Sequence, residues 1–373
     1  MKKAVALIFV LIFILSLFAC APNYGAKNNH DVLEYRTTME YHDDFKILQI
    51  TDLHFGIESD LKAQLDVVRA SIKEAAPDLI ILTGDNFMYA NRQIVNQLVS
   101  TLNEECKALT QERGILTKFA ITFGNHDNQG DYPRYYINEV IASFTTEDGK
   151  EREDDKYAAY VDYEDDNLFG LTNYFIDLVD PQNKNDVKYR IHIIDSNTYH
   201  QVGMKYKYDV IHEEQLLHAQ SIYNTATVDK DYIGLAFFHI PLCEYKDAWE
   251  QYCKAENKNE LGSGEFNEED ISLTPYTNNG AYTILRDANI SAFFVGHDHI
   301  NYGDIIYTDK DGQKSIFSYG VKATDQLYHN VDQIGYKTII LKDNITKDEF
   351  VSGKYIEENF NNVKDKYKEH YEK

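Results

Sequence analysis

The sequence is poor in cysteine, in positive charge and in long apolar runs. Four cysteines in 373 residues, widely scattered, are too few for a disulfide framework, and no cysteine cluster competes for a metal. Lys and Arg number 37 against 61 Asp and Glu, a formal net charge of -24. Such a surface does not hold nucleic acid by its phosphates, which takes clustered Lys and Arg. It does suit a solvated extracytoplasmic protein. No apolar run long enough to span a membrane occurs, and there is no internal repeat or low-complexity tract. With 43% hydrophobic and 13% aromatic residues the chain still buries a large core, and one α/β domain is expected rather than two small ones.

The longest apolar run opens the chain. Met1-Lys2-Lys3 precedes Ala4 to Phe18 and then Ala19-Cys20, a basic n-region and an h-region too short to be a comfortable span. Leu17-Phe18-Ala19-Cys20 has the spacing of a bacterial lipobox, in which the cysteine is lipidated and becomes the mature N-terminus; a plain signal peptide cut nearby is the alternative. Residues 1–19 are therefore expected to be a signal peptide. Residues 20–44 would be a lipidated Cys20 and a polar tether ending in a short edge segment, 45–345 the main domain, and 346–373 a charged tail, helical from Glu357 onward. The expected location is extracytoplasmic, with membrane contact through the lipid. Cys243 and Cys253 are then the one close pair, so at most one internal bridge is expected.

Within the main domain, apolar strands alternate with amphipathic helices. Phe45–Ile50, Asp78–Thr83 and Lys118–Phe123 read as strands, the second apolar enough to be buried on both faces. Between them lie a helix capped by Asp60 on Leu61, Leu65, Val68 and Ile72, and another on Ile94, Leu98, Leu102, Cys106 and Leu109. Residues 145 to 166 are charged and read as an irregular surface excursion. Strands resume at Asn173–Leu178, Tyr189–Ile194 and Tyr232–Phe238, with a helix starting near His212. Cys243 to Asn279 reads as a long insertion shaping substrate entry. A helix over 280–288 leads into the strand of Phe293 to Tyr302.

Five of these strands end in metal-binding chemistry: Asp52-x-His54, Gly84-Asp85-Asn86, Gly124-Asn125-His126-Asp127, His239 and Gly296-His297-x-His299. In an open α/β sheet the carboxyl ends of the strands are where sites form. If His297 and His299 lie on an extended segment, their rings face one pocket. The glycines before Asp85, Asn125 and His297 allow a sharp turn and a close approach. Several imidazoles with a few hard oxygens point to Mn, Fe or Zn rather than Ca or Mg. Singly, each residue could be a cap or a turn. Five such motifs at successive strand ends are not accidents.

Together, in this order, the motifs resemble the calcineurin-like metallophosphoesterase superfamily over Asp52 to His299. Ile194-Asp195-Ser196, the Glu214-Gln215 turn and Phe294-Val-Gly-His-Asp-His-Ile-Asn301 resemble its purple-acid-phosphatase-like branch, which includes a yeast cell-cycle phosphatase. The resemblance implies two packed mixed sheets flanked by helices, a four-layer sandwich. It implies one transition-metal ion on Asp52, His54 and His299, a second on Asn125, His239 and His297, and Asp85 bridging both. His126 would be the catalytic histidine outside the metal shell, with Asp127 orienting its neighbour. Met88 stands where true purple acid phosphatases have a ligand tyrosine, and Tyr89 is one place too late, so no iron–tyrosinate centre is expected. The implied reaction is hydrolysis of a small phosphate monoester, diester or nucleotide by a hydroxide held between two ions about 3.5–4 Å apart. A nuclease, or a binding lipoprotein without turnover, are the rival readings. No protein partner is evident, and Tyr302 is a candidate neighbour of the pocket.

Overall fold

The computed structural model describes residues 34–360 apart from 57–59, 131, 146–155, 162–167, 226–230, 272 and 354. The expected signal peptide, Cys20, most of the tether and the tail beyond residue 360 lie outside the described residues. Among the described residues no helix is long and apolar enough to cross a membrane.

Strands β1 (Arg36–Glu40), β2 (Phe45–Ile50), β3 (Leu79–Thr83) and β4 (Lys118–Thr122) come first. Helix α1 (Leu61–Ala75) joins β2 to β3, α2 (Arg92–Arg113) joins β3 to β4, and α3 (Arg134–Ala142) follows. Next are β5 (Tyr174–Asp180), β6 (Asn183–Ile193), a short hairpin of β7 (Tyr199–Val202) and β8 (Lys205–Tyr208), α4 (Glu213–Thr225) and β9 (Ile233–Phe237). Then come α5 (Glu244–Lys254), β10 (Gly262–Glu265), α6 (Glu268–Ile271), α7 (Ala281–Asp287), β11 (Ile290–Val295), β12 (Tyr302–Thr308) and β13 (Lys314–Tyr319). The chain closes with β14 (Tyr336–Leu341), α8 (Lys347–Ser352) and β15 (Ile356–Asn359). Caps fall where the sequence offers them: Asp60 accepts from Ala63 N (3.1 Å), Asn91 from Ile94 N (3.0 Å), and Gly114 ends α2 in the left-handed region.

The larger sheet runs β1-β5-β6-β9-β11-β13-β12-β10 and the smaller β15-β14-β2-β3-β4. Side-chain alternation explains the apolar strands. Leu235, Phe237, Ala292 and Phe294 enter the core shared with the smaller sheet, while Ala236, Phe293 and Val295 enter a second core beneath α4, α5 and α7. Helices α1 and α2 cover the smaller sheet with Val68, Ile72, Leu98 and Leu102. The layers are thus helix, sheet, sheet, helix, the sandwich expected. Gln49 ties the sheets together, donating to Thr83 Oγ1 (3.0 Å) and to Val295 O across the interface (3.1 Å).

The structure departs from the sequence reading in three places. The insertion at 243–279 is largely regular: α5 packs on β12, and β10 adds an edge strand beside β12. Part of the charged excursion is core, since Ala158, Ala159 and Tyr160 are buried and Ala159 N donates to Phe119 O (2.7 Å). Glu357–Asn359 belongs to β15, paired with β14, rather than to a helix. Cys106, Cys243 and Cys253 are free thiols, within the expectation of at most one bridge. The edge segment of the tether is β1, which pairs in parallel with β5.

One buried ion pair locks β5 to β6. Arg190 meets Asp177 with Nε to Oδ1 at 2.7 Å and Nη2 to Oδ2 at 2.9 Å, its guanidinium lying over the rings of Tyr232 and Phe175. Asp177→Ala leaves that guanidinium buried without its partner, and the expected cost is about 3–5 kcal/mol in urea unfolding. A loss below roughly 1 kcal/mol would show that Arg190 relaxes to solvent.

Candidate metal centre

β2, β3, β4, β9 and β11 all deliver their last residues to one edge. Four of the residues delivered, Asp52 (φ 57), His54 (φ 50), Asp85 (φ 48) and His297 (φ 77), sit in the left-handed region that non-glycine residues avoid. The rings of His297 and His299 therefore reach the site through a loop after β11, not through the alternation of an extended strand. The strained loops are held by each other: Asp52 N donates to Gly84 O (3.1 Å), His54 N to Asp85 O (2.9 Å) and Phe55 N to Asn86 O (2.9 Å). Gly84 has φ 91, and a Cβ at Gly124 would lie 2.3 Å from Asp85 Oδ1 and 2.6 Å from the His239 ring. Both positions need glycine.

Two groups of buried donors share one carboxylate. Asp52, His54, Asp85 and His299 form the first and Asp85, His239 and His297 the second, with ligand atoms within 4.8 Å of one another in each. His54 Nε2 lies 3.0 Å from His299 Nε2, Asp52 Oδ1 lies 3.3 Å from His299 Nε2, and Asp85 Oδ2 lies 3.1 Å from His239 Nε2. Ring orientation is fixed from behind. His239 Nδ1 donates to Thr83 O (2.8 Å) and His299 Nδ1 to Tyr328 O (2.9 Å), which leaves the Nε2 lone pairs aimed at the cluster. Asn125 gives its Nδ2 to Tyr199 Oη (2.8 Å), and its Oδ1 is buried without a hydrogen bond, as are His297 Nε2, His239 Nε2 and Asp52 Oδ1. A cluster of buried acceptors left without hydrogen bonds is suited to hold cations. The residues present fit two metal ions.

Electrostatics agree with this. Burial, reinforced by the charge of Lys322, lowers His54 to about 3, and burial with the neighbouring His239 does the same to His297. Both imidazoles are therefore neutral ligands. Burial also works against the charge on Asp85, but His239 outweighs it and holds the carboxyl well below its usual range. His239 is drawn up to about 9 because Asp85 overcomes its burial. A proton or a metal ion must sit between those two.

Around the donors stands a set of fixing contacts. Asp127 accepts from Gly124 N (2.7 Å) and Phe87 N (2.8 Å) and faces Asn86 Nδ2 (3.4 Å), so it clamps the loops after β3 and β4. Burial and the nearby Asp85 raise it to about 8. Ser196 Oγ accepts from His239 N (3.2 Å) and Ile240 N (2.9 Å), and Gln215 joins Asn173 to Asp195 O, both at 2.7 Å. His126 stays outside both groups: its backbone N–H donates to Asp85 Oδ1 (2.7 Å), and its ring, partly exposed, meets His54 edge-on at 5.0 Å.

Residues 45–301 match the model of the calcineurin-like phosphoesterase family. The chain belongs to that family. Among curated relatives, "Phosphatase DCR2" of Saccharomyces cerevisiae is 25% identical over 69% of this chain and 44% of its own length, so the match spans less than half of the yeast protein. "Probable inactive purple acid phosphatase 29" of Arabidopsis thaliana is 26% identical over 69% of this chain and 67% of its own. Among solved structures, "GAP50 the anchor in the inner membrane complex of Plasmodium" aligns with TM-score 0.42 and 14% identity, over 87% of this chain and 94% of that one.

Of the residues the sequence marked as ligands, Asp52, His54, Asp85, His239, His297 and His299 fall in the two groups, and Asn125 lies on the adjoining β4 loop. Tyr302 is in neither group: its ring packs on Phe360. Three features were missed. Buried Lys322 donates to Asp52 O (3.0 Å) and Thr324 Oγ1 to Leu53 O (2.9 Å), bracing the Asp-x-His loop from the chain segment after β13. Burial lowers that lysine to about 8 despite Asp52 and Asp85. The β7–β8 hairpin also lies against the site, and its signal, Gly203 at φ 63 between two short alternating runs, is legible in hindsight. Gly124→Ala is expected to keep the fold and to lose at least one of two bound metal equivalents by elemental analysis, since its Cβ displaces Asp85. Full retention of both would mean that the β4 loop yields without cost.

Proposed function

We propose that this chain hydrolyses small phosphate esters, mono- or diesters or nucleotides, outside the cytoplasm, tethered to a membrane by a lipid on Cys20. The observation that carries the catalytic part is the pair of buried donor groups sharing Asp85, with acceptor atoms left without hydrogen bonds. Asp52, His54, Asp85 and His299 would hold one ion; Asp85, Asn125, His239 and His297 the other. Mn, Fe and Zn suit this mix of imidazole and oxygen. When bound, two such ions supply Lewis acidity toward phosphoryl oxygens and lower the pKa of a water molecule.

The remaining work falls to the chain. Asp127, Ser196 and the Lys322–Thr324 pair hold the ligand loops in their strained geometry, so the donors need little reorganisation on loading. The His126 imidazole, tethered through its backbone to Asp85 yet partly exposed, is suited to donate a proton to the leaving oxygen. The acidic composition supports small substrates over polymeric phosphates. The word "inactive" in the names of Arabidopsis relatives is said of those proteins, and it motivates a second reading in which metal is held without turnover.

Metal content and hydrolysis of a chromogenic monoester and diester test both readings. Wild type should hold about two ions and turn over; Asp85→Ala should lose metal, and His126→Ala should keep it while slowing roughly 10²–10⁴-fold. Bound metal without turnover on any ester would favour the second reading, and no binding after Mn or Zn is supplied would end both. For the tether, Cys20→Ser should move the protein from the membrane fraction to the soluble one; an unchanged distribution would exclude the lipid.

A further inference from the structure

Tyrosine rings border both donor groups. The β7–β8 hairpin shows why. Tyr199 Oη accepts from Asn125 Nδ2 (2.8 Å) and the Tyr208 ring meets His297 edge-on at 4.3 Å, so this face of the hairpin looks at the second donor group. The register pairs Tyr199 with Tyr208 and Gln201 with Tyr206, which puts all three tyrosines on that face. Lys205 and Lys207 fall on the opposite face with His200, whose ring stacks on Tyr276 at 4.5 Å.

At the first donor group the wall is again a tyrosine. Tyr328 stacks on His299 at 4.3 Å with an interplanar angle of 24°, and its carbonyl fixes the same imidazole. These rings are not buried: Tyr199 is 39% exposed, Tyr328 48% and Tyr206 70%. Among the described residues, the exposed large apolar side chains include Tyr199 and Tyr206 of this hairpin and Leu327 and Tyr328 of the segment beside His299. The cations bonded into the neighbourhood are engaged elsewhere, Lys322 on Asp52 O and Arg134 on the buried carboxylate of Asp195.

We propose that the organic part of the substrate carries a flat aromatic ring, of the aryl or nucleobase class, which Tyr199 and Tyr328 recognise by stacking. The inference rests on the phosphoesterase reading above and deepens it, since the donor groups take the phosphate and the tyrosines select what is attached to it. A tyrosine face is suited to this, having a large rigid surface and little entropy to lose on contact. Lys322 and Arg134, held by Asp52 O and by Asp195, are not placed to read a second phosphate.

Benzyl phosphate and cyclohexylmethyl phosphate test this: they match in size and in type of leaving alcohol, and differ in ring planarity. Wild type should favour benzyl phosphate roughly tenfold in kcat/KM, through KM, and benzylphosphonate over cyclohexylmethylphosphonate by a similar ratio in calorimetric binding to Mn-loaded protein. Tyr199→Leu and Tyr328→Leu should each reduce the ratio at least about threefold and together abolish it, whereas Tyr199→Phe and Tyr328→Phe should keep it. A wild-type ratio near one, no phosphonate binding, or a ratio unchanged in the double Leu variant overturns the proposal. Hydrolysis of both esters without preference sinks ring recognition and leaves the phosphoesterase reading intact. Preferential phosphonate binding without hydrolysis of any ester does the reverse.

Discussion

Two carboxylates and four imidazoles are buried at one sheet edge with their acceptor atoms turned toward each other, and this unresolved electrostatic demand governs the structure around it. His54 Nε2 and His299 Nε2 approach to 3.0 Å with the His299 lone pair committed to the cluster by Tyr328 O. Asp85 and His239 at 3.1 Å need a positive charge between them. Buried acceptors cost free energy until a partner satisfies them, and a cation does so for several at once. The left-handed backbone at Asp52, His54, Asp85 and His297 persists because the loops bond to one another and to Lys322, Thr324 and Asp127. Strain of roughly 1–3 kcal/mol at each such residue is tolerable when the surroundings over-determine the conformation.

The donors were legible in the sequence because each is the residue at which an apolar run stops. Ile80 to Leu82 and Phe293 to Val295 are buried on both faces, so the first polar residues beyond them have to lie at the sheet edge, and parallel strands collect those edges on one side. Lys322 carried no such mark. A single lysine in Val321-Lys322-Ala323 reads as a surface residue, and only the pairing of Thr51 with Lys322 brings it under the Asp-x-His loop. The insertion at 243–279 was misread for a related reason. Its helix α5 is amphipathic but short and Glu-rich, and β10 is Gly-Ser-Gly-Glu, a strand made by its neighbour β12 rather than by its own propensity.

Burial on both faces also sorts the labour between the sheets. The smaller sheet contributes the oxygen donors Asp52, Asp85 and Asn125, with His54, while the larger contributes His239, His297 and His299. The centre thus straddles a sheet–sheet interface, and Gln49, bonded to Thr83 and to Val295 O just behind it, sets the separation of the two halves. The larger sheet also carries Asp195, Ser196 and the hairpin after β6, so the support for His239 and the tyrosine rim are extensions of the same layer.

The order in which ribosomes make these parts has its own consequence. Asp52 leads the domain, yet the ammonium that caps its carbonyl belongs to a residue 270 positions later, and β14, the neighbour of β2, comes later still. Contacts so distant along the chain form late, after loop closure has been overcome. A nascent chain therefore displays Asp52, His54 and Asp85 long before the brace that shapes them exists. Metal captured at that stage meets loose, competing ligands. The site is complete only when residues 270 positions apart in the chain have both been made and brought together.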